Sequence, residues 1–280
     1  MDTDIPHRLH FYWDGPNRPE WIIQAWRDLH PGFEVTVWNE AKIRFTLGQT
    51  FAHAEWFYRT PRLNQKSDLA RLAVLYAFGG VYIDADVVPM RRLPEEWFHH
   101  TAELGLVQEK KGLISNSVIA APAGSALLRE WQAQLHPERT NQPVWKTTGP
   151  RVLTDWLRTR GWVSTHDMLA LSPVPGSPLR IHPYFTINLG LDLDPTFVWR
   201  HDPSGLFSPR RRNRDVDWVR RRRPWAKEQV VGFQCFLGGK KKYYSRFAKL
   251  GWEAARKRID EYLDFVISCA PRALRPAGCC

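Results

Sequence analysis

The stretch that decides the fold is SDLARLAVLYAFGGVYIDADV, residues 67–87. Apolar residues recur at helical spacing up to Phe78, and Ser67 or Asp68 offers a side chain that could cap the start of this helix. The pair Gly79-Gly80 predicts where the helix ends. The residues that follow, VYIDADVV, have a strand composition, so we predict a central strand that runs into two carboxylates.

The segments on either side of this stretch predict an α/β sheet with flanking helices. Strand patterns occur at residues 8–13, 33–38, 104–108 and 117–121, and helical patterns occur at residues 21–30, 125–135, 152–160 and 244–267. A strand, a helix and a second strand in succession are typical of α/β architectures. No internal repeat or long linker is visible, so one domain with an extension is the simplest organisation.

The charge of the chain indicates an anionic partner. Its 280 residues include 40 Lys and Arg against 29 Asp and Glu, which gives a formal net charge of +11. Much of the excess lies in the clusters RRRNR at 210–214 and RRRR at 220–223, and Trp218 and Trp225 accompany them. Guanidinium and indole groups together suit phosphates and stacked rings, so nucleic acid or an anionic lipid surface would fit.

Segments that would direct the chain to a membrane are not apparent. No run approaches the ~18 consecutive apolar residues that a membrane span needs, and the first ten residues lack the apolar core of a signal peptide. The four cysteines show neither zinc-ligand spacing nor a disulfide framework. We therefore expect a cytoplasmic protein of a bacterium or a phage-infected host, attached peripherally to the membrane if its acceptor lies there.

Asp84 and Asp86 are the candidate centre of the chemistry. Side chains of an extended chain alternate with a period of two, so both carboxylates would face one ion. Their hard oxygens suit Mg²⁺ or Mn²⁺, which commonly complete their coordination with phosphate oxygens and water. Surface turns often contain a lone Asp-X-Asp, so the meaning of this pair depends on its surroundings.

Those surroundings resemble a known family. A polar helix start, an Asp and an Arg one turn apart, an aromatic-Gly-Gly stop and a strand ending in DXD make residues 67–87 similar to the sugar-binding DXD region of glycosyltransferase family 32. This family includes Golgi mannosyltransferases and bacterial capsular sugar transferases. Three other segments agree in order, namely IPHRLHFYWDG at 5–15, ISNSVIAAPAG at 114–124 and TTGP at 147–150, so the resemblance covers residues 5–201.

The resemblance implies a fold and an activity. The fold would be GT-A, a Rossmann-like twisted mixed sheet with flanking helices, over residues 1–207, and a basic, mainly helical extension would occupy residues 208–280. The activity would be metal-dependent transfer of a sugar from a UDP- or GDP-sugar to a hydroxyl acceptor, with retention of anomeric configuration. Mn²⁺ or Mg²⁺ would be the cofactor.

The resemblance also implies roles for single residues. Tyr12 and Trp13 would lie near the base, Asp68 and Arg71 would contact the donor's sugar or ribose and its phosphates, Asp84 would orient the donor, and Asp86 would bind the metal. For Asp68 the competing interpretation is a plain helix cap, and for Arg71 it is an exposed helix charge.

Two further assignments are less direct. Asn116 would hydrogen-bond the transferred sugar, unless it only forms a turn. His201, in FVWRHDPSGLF, is the candidate third metal ligand, although the Trp that the family has after the serine is absent. FQCFLGG from Phe233 is a competing match that contains no histidine.

The arginine clusters exceed the family pattern and point to the acceptor. The candidate acceptor- or phosphate-binding residues are Arg210, Arg211, Arg212, Trp218, Arg220, Arg221 and Arg222. The acceptor would be either hydroxylated bases of DNA, as in phage-type DNA modification, or a membrane-borne glycan. The alternative function is noncatalytic nucleic-acid binding on a degenerate transferase scaffold, against which the retained acidic and arginine residues argue.

Overall fold

The computed structural model describes residues 4–98, 103–109, 113–163, 178–182, 230–234 and 251–268. The chain divides into two compact units. The first comprises Met1–Ala85 and Leu93–Tyr184, and the second comprises Asp86–Arg92 and Phe185–Cys280. The predicted domain boundary at residue 207 lies outside the described residues and stays a prediction.

The strands are, in chain order, β1 (Arg8–Tyr12), β2 (Glu34–Trp38), β3 (Gly80–Ile83), β4 (Val87–Pro89), β5 (Leu104–Gln108), β6 (Ile114–Ala121), β7 (Leu179–His182) and β8 (Gly232–Gln234). The first unit contains a six-stranded sheet in the order β2-β1-β3-β6-β5-β7. β1 pairs parallel with β2 and β3, β6 pairs antiparallel with β3 and β5, and β7 pairs parallel with β5. The predicted mixed α/β sheet is therefore confirmed.

The helices are α1 (Glu20–Leu29), α2 (Glu40–Leu47), α3 (Ala54–Arg59), α4 (Leu63–Phe78), α5 (Ala126–Gln132), α6 (Val144–Thr147), α7 (Pro150–Thr159) and, in the second unit, α8 (Trp252–Ser268), with a 3₁₀ turn at Glu95–Trp97. The predicted helices agree in place with α1, α5, α7 and α8. None of the helices in the described part of the chain is both long enough and apolar enough to span a membrane.

Helix α4 begins earlier than predicted. Arg62 occupies the position before its first residue, and Ser67 and Asp68 lie inside the helix, so neither side chain caps it. Gln65 in the first turn accepts a hydrogen bond from Thr60 Oγ1 (2.6 Å), just before the helix, and donates one to the Pro137 carbonyl (3.2 Å), which is 72 residues away along the chain. Tertiary partners of this kind leave no local sequence signal.

The prediction of one extended strand through both aspartates is wrong. β3 ends at Ile83, Ala85 and Asp86 form a turn, and β4 then pairs antiparallel with β8 in a separate two-stranded sheet. The last contact of the larger sheet is the Asp84 amide, which donates to the Ser117 carbonyl at 2.8 Å. The chain turns because the residues after Asp84 pair with a different strand.

β3 lies at the centre of the larger sheet and is entered through two glycines. Gly79 and Gly80 have φ values of 63° and 105°, and a Cβ at Gly80 would lie 2.7 Å from the Arg8 carbonyl oxygen. Any other residue at Gly80 would therefore strain the backbone and collide with β1. This close approach lets α4 lead directly into the central strand.

His10 secures the same junction from β1. Its Nε2 lies 2.8 Å from the Gly79 carbonyl, and its Nδ1 lies 3.2 Å from the Trp38 indole nitrogen. Since the indole N–H can only donate, Nδ1 accepts and Nε2 carries the proton. Burial lowers the pKa of His10 from 6.5 to about 4, so the ring is neutral in the folded protein at neutral pH.

We predict that His10 makes the fold less stable as the pH falls. The unfolded chain takes up a proton near pH 6.5 and the folded chain only near pH 4, so the free energy of unfolding decreases between these values, by on the order of 3 kcal/mol. Urea unfolding at pH 7, 5.5 and 4 measures this loss. His10→Gln keeps a donor for Gly79 and should show a shallower pH dependence; parallel curves for the two proteins would contradict the assignment.

Candidate functional site

A buried polar cluster lies at the carboxyl end of β3 in the first unit. Helix α4 contributes Asp68 and Arg71, strand β6 contributes Asn116, and the turn before α7 contributes Thr148. Asp84 is the first residue after β3, where its amide still pairs with β6. The cluster forms because α4 leads directly into β3 and β6 is the neighbouring strand.

Asp68 is the most enclosed carboxylate of this cluster. Asn116 Nδ2 donates to its Oδ1 at 2.8 Å, Thr148 Oγ1 donates to its Oδ2 at 2.9 Å, and Arg71 Nη2 lies 3.1 Å from Oδ1. Burial raises the pKa of the Asp68 carboxyl, while Arg71, Thr148 and Asn116 partly offset that rise. The carboxylate is thus fixed in orientation by donors from three different elements.

Arg71 forms ion pairs with both Asp68 and Asp84. Its Nη2 lies 3.1 Å from Asp68 Oδ1 and 3.1 Å from Asp84 Oδ1, and Nη1 donates to the Asn116 carbonyl. Ser67 accepts from Arg71 through its carbonyl (3.1 Å) and its hydroxyl (2.9 Å). Only 4% of the Arg71 side chain is exposed, which excludes an exposed helix charge. The guanidinium is held rigidly between the two carboxylates.

Asp84 is the accessible member of this ion pair network. Its side chain is 21% exposed, compared with 9% for Asp68. Asp84 can therefore meet a ligand directly, whereas Asp68 lies behind it and fixes Arg71. The plain helix-cap interpretation of Asp68 is also excluded, since Asp68 sits inside α4 and bonds to β6 and Thr148.

Asn116 lies within β6, so the turn-forming interpretation is wrong. Its amide nitrogen donates to Asp68 Oδ1, so Asn116 belongs to the buried polar cluster. Whether it also contacts a transferred sugar stays a prediction.

Sequence reasoning missed Tyr82 and the role of Thr148. The Tyr82 hydroxyl lies 2.9 Å from Ser67 Oγ, and its ring centroid lies 4.8 Å from the Arg71 guanidinium carbon. Burial raises the pKa of Tyr82. The strand period of two would have placed Tyr82 on the same face as Asp84. Thr148 lies in the TTGP segment at 147–150, and no local sequence feature links it to Asp68.

Tyr12 is the last residue of β1 and Trp13 follows it. Because β1 runs parallel to β3, both residues lie at the same edge of the sheet as Asp84. The Tyr12 ring is buried against Phe57, and its hydroxyl donates to Asp14 Oδ2 at 3.1 Å. Trp13 is half-buried, and its indole nitrogen donates to the Gly15 carbonyl at 2.8 Å. Of the two rings, Trp13 has the more accessible surface for stacking.

Several predicted residues lie outside the described residues, namely His201, Arg210, Arg211, Arg212, Trp218, Arg220, Arg221 and Arg222. Their roles stay predictions. Within the described residues no group of three or more His, Cys, Asp or Glu side chains could hold a metal ion.

Comparison with known proteins assigns the DXD region. Residues 16–103 match the family model described as the glycosyltransferase sugar-binding region containing DXD motif. Residues 16–103 are therefore similar to the sugar-binding region of DXD-type glycosyltransferases. This match confirms the predicted resemblance, and the mixed sheet agrees with the GT-A expectation.

Its relatives include named glycosyltransferases. Human alpha-1,4-N-acetylglucosaminyltransferase is 30% identical over 110 residues, which are 39% of this chain and 29% of that protein. Inositol phosphoceramide mannosyltransferase 3 of Schizosaccharomyces pombe is 28% identical over 136 residues, covering 44% of this chain and 35% of that protein. The chain thus spans only about a third of the length of these relatives.

Two solved glycosyltransferases are also similar in structure. PaToxG glycosyltransferase is 17% identical with a TM-score of 0.44, covering 56% of this chain and 70% of that chain. The galactosyltransferase LgtC, solved with donor and acceptor sugar analogs, is 13% identical with a TM-score of 0.37, covering 95% of this chain and 98% of that chain.

We predict that Thr148→Val lowers the free energy of unfolding by about 1–3 kcal/mol, because the Asp68 carboxylate loses a hydrogen bond at a fully buried position. Thermal unfolding at neutral pH measures the loss. Thr147→Val is the matched control, since Thr147 is equally buried and its hydroxyl donates only to the Val144 carbonyl of its own helix. An equal loss in both variants would show that the contact with Asp68 has no special weight.

Proposed function

We propose that this chain is a metal-dependent glycosyltransferase that moves a sugar from a nucleoside-diphosphate sugar to a hydroxyl acceptor. The observation that carries the proposal is the buried Arg71 bridge between Asp68 and Asp84 within a region that matches the DXD family model. Such a bridge fixes Asp84 at a sheet edge where α/β folds commonly bind nucleotides.

In this proposal each residue of the site contacts or orients a different part of the sugar donor. Asp84 is exposed enough to accept hydrogen bonds from the hydroxyls of the donor sugar. Arg71 holds Asp84 in place and adds positive charge near the point where the leaving diphosphate gains negative charge. Trp13 offers the accessible ring for the base, and Asn116 is the candidate for contact with the transferred sugar. By resemblance to the family, the reaction retains the anomeric configuration.

The carboxylate ligand at Asp86 suits a hard divalent cation. Asp86 contributes a carboxylate two residues after Asp84 and is only partly buried. Carboxylate oxygens suit Mn²⁺ or Mg²⁺, which keep positions for phosphate oxygens and water. When bound, the cation supplies charge neutralisation to the diphosphate. In this proposal Asp86 holds the cation, while Arg71 and Asp84 orient the sugar.

The acceptor that best fits the chain is an anionic one. Three inositol phosphoceramide mannosyltransferases of Schizosaccharomyces pombe are among the relatives, and their named acceptor carries a phosphate. The net charge of +11 and the arginine clusters at 210–214 and 220–223 would attract such an acceptor. A membrane-borne acceptor with a phosphate-bearing headgroup, either a lipid or a lipid-linked glycan, is therefore favoured. DNA with hydroxylated bases is second, because Trp218 lies between the two clusters and could stack on bases.

The donor is tested first by calorimetric titration of UDP, GDP and their sugar conjugates, with and without Mn²⁺. We expect one nucleotide to bind in a Mn²⁺-dependent manner, and Asp86→Asn to abolish that dependence because a cation ligand is lost. Asp155→Asn is the control, since Asp155 pairs with Arg151 and Arg158 on the exposed face of α7, away from the DXD motif in the sequence. Failure of every nucleotide to bind wild type under any metal condition would overturn the proposed function.

The acceptor is tested by transfer of labelled sugar to vesicles with inositol phosphoceramide, to hydroxymethylated DNA and to a neutral free sugar. We expect transfer to the favoured anionic acceptor to fall about tenfold or more between 50 and 200 mM salt, because the arginine contacts are screened. Transfer to the neutral sugar should change little over this range. A salt dependence that is the same for all three acceptors would argue against an anionic acceptor.

A further inference from the structure

The strand that pairs with β4 places Gln234 opposite Val87, the residue that follows Asp86. In the β4 and β8 ladder Val87 lies opposite Gln234, Val88 opposite Phe233 and Pro89 opposite Gly232. Asp86 directly precedes Val87, and both Asp86 and Gln234 belong to the second unit. From the Cα spacing along a strand and across a ladder, the Cα atoms of Asp86 and Gln234 are at most about 9 Å apart.

Gln234 is a buried polar residue whose side-chain oxygen is not hydrogen-bonded to any described residue. Only 5% of the residue is exposed, and its Oε1 is buried without a hydrogen-bond partner among the described residues. Buried amide oxygens nearly always have a partner, since an unpaired one keeps the cost of lost hydration. A side chain that serves only packing at this position would be expected to be apolar, like its neighbours Val87 and Val231.

We infer that Gln234 Oε1 is a ligand of the divalent cation that Asp86 binds, an inference that rests on the proposed function. Amide oxygens are hard, neutral ligands that Mg²⁺ and Mn²⁺ accept together with carboxylates, phosphates and water. Gln234 is then the second protein ligand that the described part of the chain contributes to the cation, beside Asp86. It takes the position for which His201 was the sequence candidate.

The chemistry of this ligand predicts which metals the protein uses. Asp86 and Gln234 contribute oxygen atoms only, and oxygen ligands favour Mg²⁺ and Mn²⁺ over softer ions. Mg²⁺ should therefore support nucleotide binding nearly as well as Mn²⁺. Substituting Gln234→His would add an imidazole nitrogen and shift the preference toward Co²⁺ or Zn²⁺.

The test measures Mn²⁺ affinity by electron paramagnetic resonance in the presence of whichever of UDP and GDP binds wild type. Gln234→Leu has nearly the same volume but no oxygen, and we expect it to weaken Mn²⁺ binding about tenfold or more. Gln234→Glu restores an oxygen with added charge and should bind Mn²⁺ at least as tightly as wild type. Gln132→Leu is the matched control, because Gln132 is a buried glutamine of helix α5 in the first unit.

Thermal unfolding in the presence of a chelator separates ligation from folding. Without metal, Gln234→Leu should be at least as stable as wild type, because the change removes an unpaired buried oxygen. On adding Mn²⁺ and nucleotide, wild type should gain more in melting temperature than this variant. A variant that is equally stabilised by Mn²⁺ would overturn the inference.

The outcomes for the two proposals are distinct. If wild type binds nucleotide with Mn²⁺, Asp86→Asn loses that binding and Gln234→Leu keeps it, the transferase proposal stands and the role of Gln234 is wrong. If wild type shows no metal-dependent nucleotide binding, the proposed function is wrong and this inference fails with it.

Discussion

The guanidinium of Arg71 is the interaction on which the rest of the site depends. It lies 3.1 Å from carboxylate oxygens of both Asp68 and Asp84 and is almost completely buried. Breaking a buried ion pair by removing one partner typically costs about 3–5 kcal/mol, because an uncompensated charge stays behind. The first unit can therefore keep Asp68 inside the protein and Asp84 at its edge only while Arg71 remains between them.

The backbone around Arg71 explains why the bridge is possible. Gly79 and Gly80 let α4 pass directly into β3 at a distance from β1 that no side chain would permit. β6 then supplies Asn116 beside β3, and its carbonyl accepts a hydrogen bond from Arg71. The cluster is thus built by a short helix-to-strand connection and one neighbouring strand. Asp84, the carboxylate proposed to bind the donor sugar, lies where the pairing of β3 with β6 ends.

The break after Asp84 gives the two aspartates of the DXD motif different environments. Asp84 remains bonded to the larger sheet and to Arg71, whereas Asp86 precedes a strand that pairs with β8. This division suits two tasks, because Asp84 pairs with the Arg71 guanidinium and Asp86 precedes the strand that pairs with β8, where the amide oxygen of Gln234 is buried without a partner among the described residues. An uninterrupted strand would have given both carboxylates the same neighbours.

The sequence by itself determined the sheet class, the glycine-marked end of α4 and the position of Asp84 at the end of a buried central strand. Hydrophobic periodicity and turn residues are local properties, and they are sufficient for such assignments. Only the tertiary structure decided that α4 begins at Leu63, that Thr148 binds Asp68 from 80 residues away, and that the chain leaves the strand at Asp84. The pattern of apolar residues encodes which face is buried, but the partner of a polar side chain depends on segments that meet only when the chain has folded.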